Sequence, residues 1–160
     1  MRRIGVVFIF FCILLISCDK NDDNDNISKK VNQKKLLELV NNYRKKGCNC
    51  GGQYMSPTEP VVWNDLLEFA AQKHSNDMDK NNFFSHTSSN GKNPGDRISE
   101  AGYKWKTYGE NIAKGRKTEN DAITGWMNSA DHCKNIMNPN FREMGVAASG
   151  NYWTQIFGKR

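Results

Sequence analysis

Glu143-Met144-Gly145-Val146-Ala147-Ala148-Ser149-Gly150-Asn151-Tyr152-Trp153-Thr154-Gln155-Ile156-Phe157 is the stretch on which the fold turns. Gly150-Asn151 is a two-residue hairpin signal, and the flanking runs are rich in small, β-branched and aromatic residues. The reading is two antiparallel strands, Glu143 to Ala148 and Tyr152 to Phe157. Tyr103 to Ala113, with β-favouring aromatics around Gly109-Glu110-Asn111, supplies a third extended segment. The rest of the domain reads as helix and loop. From Ile27 an apolar stripe of Val31, Leu36, Leu37, Leu39, Val40 and Tyr43 predicts a helix that Gly47 stops. Lys29, Lys30, Lys34, Lys35, Arg44, Lys45 and Lys46 read as its solvated face. Gly51 to Pro60 reads as a loop. Asp65 and Glu68 have the spacing of a capping box for a second helix. Leu66, Ala70 and Met78, joined by Leu67, Ala71 and His74, form the inner face of that helix, and Asn81-Asn82 ends it. His74 is read as a packing histidine. Arg97 to Ala101 is a short helix ended by Gly102, with Asp96 and Arg97 as a local ion pair. Thr118 and Asp121 cap another helix, with Ala122, Ile123, Trp126, Met127 and Ala130 inward. Helices on both sides of a small antiparallel sheet make an α/β sandwich.

Upstream of the domain, Arg2 and Arg3 precede an apolar run from Ile4 to Ile16. That run is too short for a spanning helix, which needs about 20 apolar residues, and fits a signal peptide. It ends in Leu15-Ile16-Ser17-Cys18, which resembles the lipobox at which bacteria acylate a cysteine and cleave before it. The expected organisation is a lipoprotein signal peptide over residues 1–17, an acylated Cys18 with a flexible acidic tether over 18–29, and one domain over 30–160. The tether, Asp19 to Asn26, carries no apolar residue and cannot fold alone. Cleavage removes two of the positive charges behind the net +6. The remaining charge is modest, the compartment is extracytoplasmic, and no recognition motif is present, so nucleic-acid binding is set aside.

Of the five cysteines, Cys12 leaves with the signal and Cys18 carries lipid. Cys48, Cys50 and Cys133 remain in an oxidising compartment, where disulfides persist. Cys48 and Cys50 are too close to bridge comfortably, so Cys133 pairs with Cys48 or Cys50. Closing that long loop is worth about 4 kcal/mol in the chain-entropy model.

His86, Glu110 and His132 are the polar residues with chemical potential. Their spacing is not diagnostic, and no HExxH is present. Trp63-Asn64, Ala71-Gln72-Lys73-His74-Ser75, Phe84-Ser85-His86, Gly109-Glu110-Asn111-Ile112-Ala113, Trp126-Met127-Asn128-Ser129, His132-Cys133-Lys134-Asn135-Ile136-Met137, Phe141, Met144-Gly145-Val146 and Tyr152-Trp153-Thr154-Gln155 follow one another in that order. Over roughly residues 30–158 the chain thereby resembles the CAP superfamily, also called the SCP domain, in its bacterial branch.

The resemblance implies a fold of class α/β (α+β), a three-layer α-β-α sandwich with a small antiparallel sheet. It also implies an open cleft lined by two His and two acidic residues. His86, Glu110 and His132 match three of the four positions. Ser129 stands at the second acidic one, so the tetrad is incomplete. Two imidazoles with Glu110 can hold a divalent metal such as zinc, or Glu110 can instead orient an imidazole. A hydrogen-bonded network of His86, Glu110, Ser129 and His132 under the cleft floor is the structural alternative.

Three functions follow. The first is a binding module, anchored through the lipid on Cys18 to the outer membrane or cell surface, monomeric, taking a lipid, sterol-like or other envelope or host ligand. The second is a hydrolase, metal-assisted or built as Ser129–His132–Glu110, although no GxSxG elbow surrounds Ser129. The third is a non-catalytic structural envelope protein. Trp126 and Trp153 read as core or cleft wall.

Overall fold

The computed structural model describes residues 28–160. The signal peptide, Cys18 and the acidic run lie outside the described residues. The elements in chain order are β1 (Ser28–Lys29), α1 (Gln33–Lys46), β2 (Cys48–Cys50), β3 (Gln53–Met55), β4 (Val62–Trp63), α2 (Asp65–Lys80), α3 (Pro94–Glu100), β5 (Thr107–Lys114), α4 (Glu119–Met127), α5 (Ala130–Met137), β6 (Glu143–Ser149) and β7 (Tyr152–Lys159).

The hairpin forms as its sequence dictates: Ser149 faces Tyr152, and Gly150 takes the positive φ of 50° that favours glycine. β7 pairs on its other side with β5 along all eight residues of each strand, so the central order is β1-β6-β7-β5. β4 adds one short parallel pairing at the Glu143 end of β6, so the sheet is antiparallel except there. β1 pairs at the opposite end of the same edge, which brings Ser28 and Lys29, read as tether, into the sheet.

Alternation along the hairpin divides the core. Met144, Val146, Ala148, Trp153 and Phe157 face a cluster with Leu36, Val40, Trp126 and Ile136 from α1, α4 and α5. Ala147 and Ile156 face the other layer, with Leu67, Ala70 and Ala71 of α2 and Ile98 of α3. The three-layer α-β-α sandwich is therefore the observed fold. Gly145 lets α2 rest on the sheet, because a Cβ there would meet the backbone of Leu67 and Glu68.

Several local readings are corrected. The first helix starts at Gln33, capped by Asn32, and Val31 precedes it. Arg44 is not on a solvated face. It is fully buried, and its guanidinium donates to the carbonyls of Glu59, Ile136, Asn138 and Phe141, at 2.7 to 3.1 Å. Four inward carbonyls from loops and a helix end need donors, and this fork supplies them. Burial, with Arg142 nearby, pushes its pKa down to about 10.

The cap of α2 is Asn64, not Asp65, and Glu68 accepts from Trp63 and Gln33 instead of closing a capping box. Leu66 is largely outside the core that Leu67, Ala70, Ala71 and Met78 enter. The stretch from Gly51 to Pro60, read as a loop, contains β3, which pairs with β2 just before it. The Thr118–Asp121 capping box forms as read, but its helix ends at Met127, and a separate α5 begins at Ala130 with Ser129 as its N-cap.

Candidate functional site

Glu110 lies in the buried half of β5 and must bring its charge under cover. Such a carboxylate requires partners on both oxygens. One oxygen meets His86 Nδ1 at 2.7 Å, and the other accepts from Arg97 Nη2 at 2.5 Å. The Arg97 side chain is 5% exposed and that of Glu110 is 2%, whereas that of His86 is 51% exposed. The carboxylate therefore sits beneath a half-open imidazole with a guanidinium behind it. Facing a carboxylate, His86 Nδ1 carries the proton, and Nε2 is the atom left for chemistry.

Arg97 is placed by α3, whose start is fixed by Pro94 and a capping box between Asn93 and Asp96. Asp96 is thus committed to its own helix, and the expected Asp96–Arg97 ion pair does not form. Arg97 Nη1 instead lies 2.9 to 3.1 Å from the carbonyls of His86 and Lys92 and the hydroxyl of Ser88, gathering the 86–92 loop around one cation. Its Nε is buried without a partner. Ser88 Oγ reaches His74 Nδ1 at 3.4 Å, and His74 Nε2 reaches the Ser85 carbonyl at 2.8 Å. His74 is fully buried, as its helical position indicates. Burial is the main reason its pKa lies below the ordinary value.

His132 comes from α5. Burial, and then the neighbouring His86, hold its pKa below the ordinary value. The Gly-Glu-Asn segment ties this helix to the sheet. Asn111 Nδ2 donates to the His132 carbonyl and to Gln155 Oε1, at 3.2 and 3.0 Å. Asn135 Nδ2 donates to Asn111 Oδ1 and to the Glu110 carbonyl, at 2.9 and 3.2 Å. Gly109 completes the fit, since a Cβ there would meet the Phe141 ring.

Ser129 and His132 line a cavity of about 330 Å³ together with Phe84, Ile112, Trp126 and Arg116. Phe84 leans on Tyr152, and the Lys114 ammonium lies 4.7 Å over the Tyr152 ring. A larger cavity of about 630 Å³ lies between α1 and residues 57–60, away from the histidines.

This arrangement bears on each of the chemistries read from the sequence. Among the described residues, no hydrogen bond joins Ser129 to His132, and Glu110 orients His86 rather than His132, so the Ser129–His132–Glu110 relay is not assembled. The expected network of His86, Glu110, Ser129 and His132 is found as two groups: His86 and Glu110 are joined to Arg97, while Ser129 and His132 line the cavity with Phe84 and Trp126. For a metal, Glu110 has both oxygens engaged. The donors that remain are His86 Nε2 and the His132 ring, short of the three protein ligands usual for catalytic zinc. Among the described residues, the cluster whose ligand atoms all lie within 4.8 Å of one another is Cys48, Cys50 and Cys133, and two of these are already joined as the Cys50–Cys133 disulfide. A bridged sulfur is not a thiolate ligand. The two imidazoles are therefore the uncommitted nitrogen donors of the cleft, with Glu110 orienting the His86 ring.

Sequence reading missed Arg97, Asn135 and Phe84 as site residues. The one signal for Arg97 is that a glutamate inside a β-strand needs a counter-charge.

Comparison with known proteins agrees with this geometry. Residues 37–157 match the model of the CAP family, the cysteine-rich secretory protein family. The chain is 40% identical over 127 residues to YkwD of Bacillus subtilis (strain 168), an uncharacterised protein, covering 78% of this chain and 46% of that one. An extracellular SCP-domain protein of Bacillus anthracis str. Ames superposes with a TM-score of 0.71 at 30% identity, over 80% of this chain and 40% of that one. An outer surface protein of Borrelia burgdorferi shares the fold, with a TM-score of 0.67 at 22% identity over 87% of this chain and 96% of its own. This chain spans less than half the length of the two Bacillus proteins. With the fold, the order of the motifs and the family match in agreement, the chain belongs to the cysteine-rich secretory protein (CAP) family and is of its bacterial type.

Proposed function

We propose that the chain is an extracytoplasmic binding module, lipid-anchored through Cys18, whose cleft takes an apolar or amphipathic ligand of the envelope or of a host. The observation that carries this reading is the cavity beside His132. Phe84, Ile112 and Trp126 supply apolar wall, Arg116 and Lys114 supply positive charge, and His132 and Ser129 supply hydrogen-bonding groups. Pockets of this size with a few convergent polar groups suit small ligands. The extracellular Bacillus anthracis relative supports the location. Among the described residues no helix is long and apolar enough to cross a membrane.

The test is a panel of fatty acids, sterols and neutral lipid analogues added to the purified protein, with displacement of a fluorescent fatty acid as the readout. Micromolar binding that Phe84→Ser weakens at least tenfold supports the reading. Binding that Phe84→Ser leaves unchanged, or none across the panel, removes it. For the anchor, a fatty-acid analogue should label the wild type and not Cys18→Ala, and equal labelling would end that part.

A second reading, a two-imidazole site for zinc, is favoured by the half-exposed His86 ring, whose Nδ1 is held by Glu110. Calorimetric titration of zinc against the His86→Ala, His132→Ala double variant tests it. Heat that the double variant retains would reject it.

A further inference from the structure

The β2–β3 hairpin brings three sulfurs to one place. Cys48 and Cys50 are two residues apart on β2 and so face the same side. Gly51 packs against Ala130, setting this hairpin on the start of α5, from which Cys133 projects. Cys133 is bonded to Cys50, with Cα atoms 5.5 Å apart. The Cys48 Sγ lies 3.7 Å from Cys133 Sγ and 3.9 Å from Cys50 Sγ. Cys50 and Cys133 are fully buried, while Cys48 is half-buried and free. Exchange proceeds by attack of a thiolate on a disulfide sulfur in line with the bond that breaks. The near-equal 3.7 and 3.9 Å separations place Cys48 Sγ beside the disulfide, so a turn of the Cys48 side chain precedes attack.

We propose that Cys48, Cys50 and Cys133 form a thiol–disulfide exchange centre in which Cys133 alternates between Cys50 and Cys48. Cys48 gives its proton to solvent, and the thiolate attacks Cys133 Sγ. The Cys48–Cys133 bond forms as the Cys50–Cys133 bond breaks, and the released electron pair leaves on Cys50 Sγ, which takes up a proton. No oxidant or reductant is consumed. The new bond requires the two sulfurs to close by about 1.7 Å, within reach of side-chain rotation. A bridge between Cys48 and Cys50 is disfavoured by their spacing on one strand, so Cys133 is the shared partner. The two forms differ in which thiol is free: half-buried Cys48 in one, fully buried Cys50 in the other. Only when Cys48 is in the bridge does the disulfide have a sulfur that a solvent thiol can reach. Burial pushes the Cys48 thiol up, so at neutral pH the thiolate is scarce and the exchange slow.

The experiment locates the bridge. The protein is equilibrated over a range of pH and quenched in acid. It is then unfolded, alkylated with light N-ethylmaleimide, reduced, alkylated with the heavy reagent and fragmented, so that Cys48 and Cys50 are read separately. Light label divided between Cys48 and Cys50, approached at a rate rising about tenfold per pH unit, is the expected result. Light label confined to Cys48 at every pH overturns the proposal. Cys50→Ser gives a second reading: Cys133 should then be found bridged to Cys48, and two free thiols after air oxidation would equally overturn it. Cys48→Ser should show neither Cys50 nor Cys133 lightly labelled, and light label there would mean that a bridge forms only with Cys48, against the proposal.

Discussion

Replacing Arg97 by Met tests whether the guanidinium is what permits a carboxylate under the cleft. Both side chains of the Arg97–Glu110 pair are almost wholly buried, and their closest atoms are 2.5 Å apart. Methionine fills similar volume but leaves Glu110 Oε2 without a donor, and it removes the donors to Ser88 and to the His86 and Lys92 carbonyls. Breaking a buried pair from one side costs about 3–5 kcal/mol. With a slope of about 2 kcal/mol/M in urea, the unfolding midpoint should fall by about 2 M. Glu110→Gln alone should cost less, because the amide keeps an acceptor for Arg97. The double variant, neutral on both sides, should be more stable than the sum of the single losses allows, by about 2 kcal/mol of coupling. Urea denaturation of the four proteins, followed by tryptophan fluorescence, measures all of this. An Arg97→Met loss below about 1 kcal/mol, or additivity within about 0.5 kcal/mol, would refute the account of Arg97 as the partner that makes Glu110 tolerable.

Further outcomes follow from the same structure. Arg44→Leu removes the donors to four carbonyls and should destabilise by at least about 3 kcal/mol in the same assay, with Arg44→Lys recovering only part because an ammonium cannot reproduce the fork. Gly145→Ala drives a methyl into the backbone of α2 and should cost about 1–3 kcal/mol by thermal denaturation. His74 and His132 are held below the ordinary histidine value, so the unfolded chain takes up their protons at a higher pH than the folded one. Stability should therefore fall as pH drops below about 6.5, seen as a lower urea midpoint at about pH 5.5 than at about pH 7.5. Against the opposing effect of burial, hydrogen bonds from Ser89 and Asn81 hold Asp77 low, and those from Arg160, Tyr103 and Asn64 hold Glu143 low. Their contribution is lost only below about pH 4, which separates it from that of the imidazoles.

The hairpin, the capped α4 and the helix bearing His74 were legible because each rests on local rules: turn residues, caps and a 3.6-residue period. The same rules misplaced Arg44, since a lysine-rich context makes a single arginine look solvated, and only distant chain segments, the 57–60 loop and the end of α5, determine that it is buried. Asp65 and Glu68 have capping-box spacing, yet Asn64 was one residue better placed, and Glu68 was drawn to Trp63 and Gln33. The break between α4 and α5 carries no Gly or Pro at the break itself. His86, Glu110 and His132 were found through resemblance to a family. What spacing could not reveal is that Glu110 faces His86 and Arg97, which depends on how α3 packs below β5. Cys133 was expected to bridge Cys48 or Cys50, and the structure selects Cys50.

β5 ends the sheet, and its outward carbonyls at Glu110 and Ile112 are not left open. The first accepts from Asn135 and the second from Trp126 Nε1, at 3.1 Å. An uncovered strand of eight residues is a template onto which another chain can add. Here α4 and α5 occupy that template with one side chain each, so the residues that frame the cleft also protect the domain from edge-to-edge aggregation. Losing the indole N–H in Trp126→Phe, or the amide in Asn135→Leu, would expose a strand whose hydrogen bonds are free to recruit a second molecule.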